Sequence, residues 1–222
     1  MGSENLFHKK RERNPSDFRR SKPLKLAKQF KILIVCEDSK SSAFYLEDLA
    51  KDFGLNAVHV RGKECGSVPK TVFEFALGEY QKSAKDGDAY DRVYCVFDRD
   101  QHPCFDETVQ AINGKTPNNK FFAITSTPCF EFWLLLHNGF ESAPYQKAGN
   151  KSPCDNVNTK LKLEWEEYGK NKRDIYVRTK EKLPSAIANS KRLAAENQKN
   201  ASNNPQTNMH ELVEYLQSIR RY

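Results

Sequence analysis

The chain has 222 residues, 38% of them apolar, a mean hydropathy of −0.79, a formal net charge of +7 and a pI near 9.0. No apolar run approaches the roughly 20 residues that span a bilayer, which excludes a helical membrane protein. The length suits one core-bearing domain with a helical extension, and the positive balance points to a polyanionic partner, nucleic acid first. The start of the chain is polar and then basic, which is no secretory signal, so a cytoplasmic protein is expected. Six cysteines without a Cys-x-x-Cys pair suggest reduced thiols, with neither a disulfide framework nor a zinc site.

Residues 1–30 read as a flexible basic arm. From Lys9 to Lys31 there are ten Lys/Arg against Glu12 and Asp17, and Pro15 and Pro23 interrupt any helix. The stretch Ile32-Leu33-Ile34-Val35-Cys36 follows, an apolar run without alternation, as expected of a strand buried on both faces. A helix is predicted over 39–53. Ser39 is its cap, Ala43, Leu46, Leu49, Ala50 and Phe53 are its apolar stripe, and Gly54 is its stop. A short strand at 57–60, a loop with Gly62 and Gly66, and a helix to about 84 come next. A further strand is predicted over 91–97, its apolar run Val93-Tyr94-Cys95-Val96-Phe97 ending in Asp98-Arg99-Asp100. A helix at 105–112 and a strand at 121–125 lead to Thr127-Pro128, read as the cap and first residue of a further helix. Strands alternating with helices mean βαβ units and a parallel sheet. Right-handed crossovers then set the C-terminal strand ends along one edge. Residues 31–138 form this α/β core. Residues 139–222 read as a helical C-terminal extension, with helices at 156–168, 183–195 and 208–219, an Asn-rich linker at 197–204, and capping-box spacing of Asn208 and Glu211.

Ligands of open α/β sheets bind beyond the carboxyl ends of the strands, and that is where Glu37, Asp98, Asp100 and Glu131 fall. If the strand continued past Asp98, Asp98 and Asp100 would share a side, roughly 7 Å apart at about 3.3 Å per residue. Carboxylates that close repel unless a cation lies between them. This predicts an acidic, metal-ready pocket with Mg²⁺ or Mn²⁺ as its cofactor, since hard cations prefer carboxylate oxygens. Glu131 sits among Phe130, Phe132 and Trp133, where an uncompensated charge is costly, and is placed in the same pocket. Lys40 and Arg99 are candidates to offset charge on a transferring phosphate. His102 is weighed as a general base or a soft ligand against an ordinary loop histidine, with the latter preferred. His59 and His137 are read as structural. Ser39, Ser41 and Ser42 are read as helix capping rather than as nucleophiles.

Several segments together resemble the RloB family. They are Ile34-Val35-Cys36-Glu37, Asp98-Arg99-Asp100, Thr127-Pro128-Cys129-Phe130-Glu131-Phe132-Trp133-Leu134-Leu135-Leu136-His137, Tyr168-Gly169-Lys170, Ala186-Ile187-Ala188-Asn189-Ser190-Lys191 and Pro205-Gln206-Thr207. The resemblance covers about residues 20–222, and its most specific part is Pro128 to Leu136. It implies a Toprim domain, the fold of primases, topoisomerases and OLD-type nucleases. It also implies Glu37 as metal ligand or general acid/base, Asp98 and Asp100 as metal ligands, and Glu131 as the later acid of OLD-type sites. The implied role is an effector of bacterial restriction and antiphage defence working with an ATPase partner. The commoner pattern has a second Glu where this chain has Ser42, which removes a ligand from a second metal site unless Asp38 turns inward.

The expectation is therefore a Toprim/Rossmann-like, mostly parallel sheet flanked by helices, carrying a Mg²⁺- or Mn²⁺-dependent nuclease site. Glu37, Asp98, Asp100, Lys40 and Arg99 would be catalytic, and Glu37, Asp98, Asp100 and Glu131 would hold metal. The alternatives are a receiver-like phosphoacceptor module and a degenerate nucleic-acid-binding subunit of an ATPase complex. The first is disfavoured because no Lys follows a fifth strand.

Overall fold

The computed structural model describes residues 30–62, 66–100, 102–117 and 119–220. The basic arm expected over 1–30 therefore lies outside the described residues apart from Phe30. Five strands, β1 (Ile32–Cys36), β2 (Val58–Arg61), β3 (Arg92–Asp98), β4 (Phe121–Thr127) and β5 (Gln206–Thr207), form one sheet in the order β2-β1-β3-β4-β5. The first four are mutually parallel, and β5 closes the edge antiparallel. This is the expected mixed, mostly parallel α/β sheet.

The unbroken apolar runs have a simple cause. In β1, Ile32, Ile34 and Cys36 face one helical layer, while Leu33 and Val35 face the other. Alternate side chains point to opposite faces, and both faces are covered, so no position can be polar. One layer holds α2 (Pro69–Lys85) and α3 (Phe105–Asn113), whose inward residues include Val72, Ala76 and Ile112. The other layer holds α1 (Ser41–Asp52), α4 (Glu131–Leu135), α5 (Pro153–Glu164), α6 (Ile175–Thr179), α7 (Leu183–Asn200) and α8 (Met209–Ile219), with a 3₁₀ turn at Lys180–Lys182. Phe132, Trp133, Leu134, Leu161, Ile175, Leu193 and Leu212 share its core. The segment from 139 onward thus supplies both a strand and much of one layer.

Several local expectations are corrected. Ser39 does not cap α1; the helix starts at Ser41, with Lys40 at the N-cap and no side-chain cap bond. Thr127 does not open a helix. It ends β4, because a residue before proline disfavours the helical region and Ser126 and Thr127 pair with Thr207 and Gln206 of β5. The next helix begins only at Glu131. Asn208 precedes α8 without capping it. Its Oδ1 accepts from Thr125 N (2.7 Å) and its Nδ2 donates to Ala123 O (3.0 Å), so it serves the free edge of β4. α5 starts earlier than expected, at Pro153, behind a complete capping box of Ser152 and Asp155. Cys129 and Cys154 are joined as a disulfide, whereas reduced thiols were expected.

Candidate metal and phosphate site

Glu37 follows β1 directly. Its N–H donates to Val96 O (2.9 Å), which continues the ladder to β3 by one residue. Its side chain then turns across the strand end, and Oε2 accepts from the Asp98 N–H at 2.8 Å. The turn after Glu37 is pressed against β2. A Cβ on Gly62 would lie 2.3 Å from Asp38 O, so only glycine fits where the two backbones meet. Asp38 is steadied from α1, as Ser42 Oγ donates to its Oδ1 at 2.6 Å.

The strand does not extend past Asp98. The chain turns at Asp100, whose φ of +33° is unusual for a residue with a side chain, although Asp tolerates positive φ better than most. The turn brings the Asp100 carboxylate to Glu37 and His102, and one ligand atom from each of the three lies within 4.8 Å of the others. His102 Nε2 is 3.4 Å from Glu37 Oε1. Sequence reasoning set this histidine aside; its only signal was its place two residues beyond Asp100.

Glu131 is 1% exposed. Its Oε1 accepts from Tyr168 OH (2.9 Å) and Ser41 Oγ (3.1 Å) and faces Lys170 Nζ at 3.4 Å, while Cys154 Sγ lies 3.8 Å from its Oε2. These contacts explain how a carboxylate survives beside Phe132 and Trp133. Glu37, Asp98, Asp100, Glu131 and Lys170 line a common pocket of about 150 Å³. Ser41 and Tyr168 complete the shell around Glu131. Ser41 was read as a cap, and Lys170 lies 39 residues beyond Glu131 with no periodic signal linking the two.

The electrostatics are those of crowded acids. Burial pushes the Asp98 carboxyl well above its usual range, and the charges of Glu131, Glu37 and Asp100 push it further, against the Phe130 N–H. Burial also raises Glu37, opposed by the Asp98 N–H and His102. Burial works against the Lys170 charge, but Glu131 and Asp98 outweigh it and hold its pKa above the ordinary lysine value. Lys170 thus offsets one charge in a pocket that has several.

Lys40 is exposed and does not line this pocket. Arg99 points away from the acids, pairing with Asp106 (3.1 Å) and lying over the Phe105 ring, and it lines a larger recess beside the pocket. His137 is buried, with Nδ1 on Trp133 O (3.0 Å) and Nε2 on Tyr45 OH (3.3 Å). Burial lowers its pKa to about 4, so it is a neutral core group.

The donor set fits a hard divalent cation. Glu37, Asp100 and His102 bring ligand atoms within 4.8 Å of one another, and Asp98 lines the same pocket outside that group. The charge repulsion the other acids exert on Asp98 is what a cation relieves, and one imidazole is compatible with Mn²⁺. A second grouping, Cys129, Cys154 and Glu131, also lies within 4.8 Å, but its sulfurs are bonded to each other and its carboxylate is already engaged by Tyr168, Ser41 and Lys170.

The RloB-like protein family model matches residues 32–216, most of the chain. The chain belongs to the RloB-like family. No curated protein and no solved structure matches this RloB-like protein. Among the described residues, no helix of the RloB-like chain is long and apolar enough to cross a membrane.

Proposed function

We propose that this RloB-like protein is a divalent-metal-dependent nuclease of Toprim type, hydrolysing phosphodiester bonds of DNA or RNA. The observation that carries the reading is the meeting of Glu37, Asp98 and Asp100, from two different strand ends, in one pocket with Glu131 and Lys170. Glu37, Asp98 and Asp100 would hold Mg²⁺ or Mn²⁺, with His102 beside them. Bound there, the cation would polarise the phosphoryl oxygen and orient the attacking water. The rest falls to the chain. Lys170 supplies a fixed positive charge for the phosphate as negative charge develops. Glu131, gripped by Tyr168 and Ser41, holds Lys170 in place. Glu37 is anchored through one oxygen to Asp98 N–H, which leaves the other to accept a proton near His102. The positive net charge favours a nucleic-acid substrate. The role proposed for the activity is that of a defence effector acting with an ATPase partner, on the strength of the family resemblance alone.

The test is cleavage of plasmid DNA and total RNA with Mg²⁺, Mn²⁺ or chelator, by wild type and Glu37→Gln. Cleavage that needs metal and falls by at least about 100-fold in the variant, in keeping with loss of a general acid/base, is expected. Metal-independent cleavage, or full activity in the variant, contradicts the reading. One observation favours a second reading. Lys170 places a cation near Asp98, as a phosphoacceptor aspartate requires, though it arrives from a helix–helix turn and not from a strand. A small phosphodonor that labels wild type but not Asp98→Asn would favour that signalling role.

A further inference from the structure

Beside the acidic pocket lies a recess of about 790 Å³ that shares Asp100 with it. This is the size of sites that enclose a small organic ligand, whereas the acidic pocket has room for little beyond an ion and its waters. Its walls come from three distant parts of the chain: Arg99 and His102 beyond β3, Thr127 and Pro128 at the end of β4, and Tyr145, Ser152 and Asn203 from the C-terminal segment. Their chemistry is mixed in a particular way. His102, beside Glu37, offers a ring nitrogen near the acids, and Arg99, paired with Asp106, brings its guanidinium to the wall. Pro128 and Tyr145 offer flat apolar surface. Asn203 offers an uncharged donor and acceptor, while the Ser152 hydroxyl is engaged by Asp155.

The backbone that carries Tyr145 is tied down. Asn204 clamps the Tyr145 backbone twice, with Oδ1 accepting from Tyr145 N (3.1 Å) and Nδ2 donating to Tyr145 O (2.7 Å). Phe132 packs edge-to-face behind the ring at a centroid separation of 6.0 Å. A wall so fixed loses little freedom when a ligand settles on it.

We infer that this recess is a nucleotide subsite, and that it seats one unpaired nucleotide of the substrate strand with its phosphate directed to the acidic pocket. The inference rests on the nuclease reading and adds the substrate class. Bases stack on aromatic and apolar faces whatever their identity, and amide side chains bond the edges that pairing would otherwise occupy. A base inside a duplex keeps its stack and its partner, so one that enters a walled recess must be single-stranded or extruded. The substrate is therefore a single strand, a loop or a frayed end.

The test uses the full chain at fixed salt, with Ca²⁺ in place of Mg²⁺. Fluorescence anisotropy compares labelled single-stranded DNA and RNA oligonucleotides with matched duplexes. Wild type should bind the single strands at least about tenfold more tightly. Tyr145→Ala should collapse that preference. Because loss of the ring could loosen the fold, Asn203→Glu is the second variant: the residue is exposed at the rim, and the added carboxylate should weaken single-strand binding while leaving the melting temperature and duplex binding unchanged. Equal affinity for single strands and duplexes, or a preference untouched in both variants, overturns the inference. The two claims separate cleanly. Selective single-strand binding without cleavage in Mg²⁺ or Mn²⁺ leaves the subsite standing and removes the hydrolytic reading; cleavage of duplex and single strand at equal rates does the reverse.

Discussion

Glu37, one residue past β1, accepts the backbone N–H of Asp98, the last residue of β3, at 2.8 Å. The bond locks the two strand ends in register and holds two carboxylates in one pocket, where the Glu37 charge adds to burial in raising the Asp98 pKa, while the Asp98 N–H works against burial at Glu37. An acid whose folded pKa lies above its unfolded value of 3.8 binds its proton more tightly when folded. Its contribution to stability is therefore fully present below pH 3.8 and is lost as pH rises toward the folded pKa. Asp98→Asn removes that charge. In urea melts without divalent metal it should be more stable than wild type at pH 7, with the gap closing toward pH 4. Mn²⁺ should raise the melting temperature of wild type but not of the variant.

Tyr168 donates to a Glu131 carboxylate that is almost wholly buried. Hydrogen bonds to charged groups contribute about 1.5–3 kcal/mol, and a buried acceptor left short of a donor incurs its desolvation cost. Tyr168→Phe should lower unfolding free energy by about that amount, measured by denaturant titration. Because Lys170 then gains a larger share of Glu131, the metal-dependent cleavage proposed for this site should fall as well. A variant as stable as wild type would show that the Tyr168–Glu131 contact carries no weight.

The sheet was legible because its chemistry is local. Ile32 to Cys36 and Val93 to Phe97 are apolar throughout, since helices cover both faces, and the carboxylates begin where the strands stop. Other features are not local. β5 is two residues, Gln206 and Thr207, with no hydrophobic pattern; its pairing keeps Thr127 extended and overrides the helix-start signal. Asn208 carries a capping signature, yet its side chain goes to the edge of β4, which only the folded sheet creates. Lys170 and Ser41 reach Glu131 from chain positions 39 and 90 residues away, a convergence set by the packing of α1 and the α5–α6 turn. The Asp98–Asp100 spacing puts both carboxylates on one side only if the strand continues, and the turn at Asp100, with its positive φ, brings that carboxylate to Glu37 and His102 instead.

Gly62 is where β2 meets the turn that carries Glu37. A methyl group there would lie 2.3 Å from Asp38 O, and backbone cannot yield as a flexible side chain can. Gly62→Ala should cost about 1–3 kcal/mol, as overpacked sites do. It should also weaken Mn²⁺ binding, because relief of the clash displaces the Glu37–Asp38 turn. Calorimetric titration with Mn²⁺ checks this; unchanged stability and affinity would mean that the backbones separate without disturbing the site.

Cys129 lies two residues before Glu131, and its bond to Cys154 ties the β4–α4 turn to α5 across 25 residues. A crosslink closing a loop of this length contributes roughly 3 kcal/mol in the chain-entropy account. Cys154→Ser should lose about that much in denaturant melts under oxidising conditions. Added reductant should lower the midpoint of wild type to that of the variant and leave the variant unmoved. A wild-type midpoint that ignores reductant would show that the crosslink does not contribute.

The central claim is that acids from separate strand ends share one hard cation. Anomalous diffraction at the manganese absorption edge, from crystals grown with Mn²⁺, tests it most directly. The account predicts an anomalous peak within ligand distance of the Glu37, Asp98 and Asp100 carboxylates, reduced or absent in Asp98→Asn. A wild-type map with no peak among these side chains, at a Mn²⁺ concentration that supports cleavage, would contradict it.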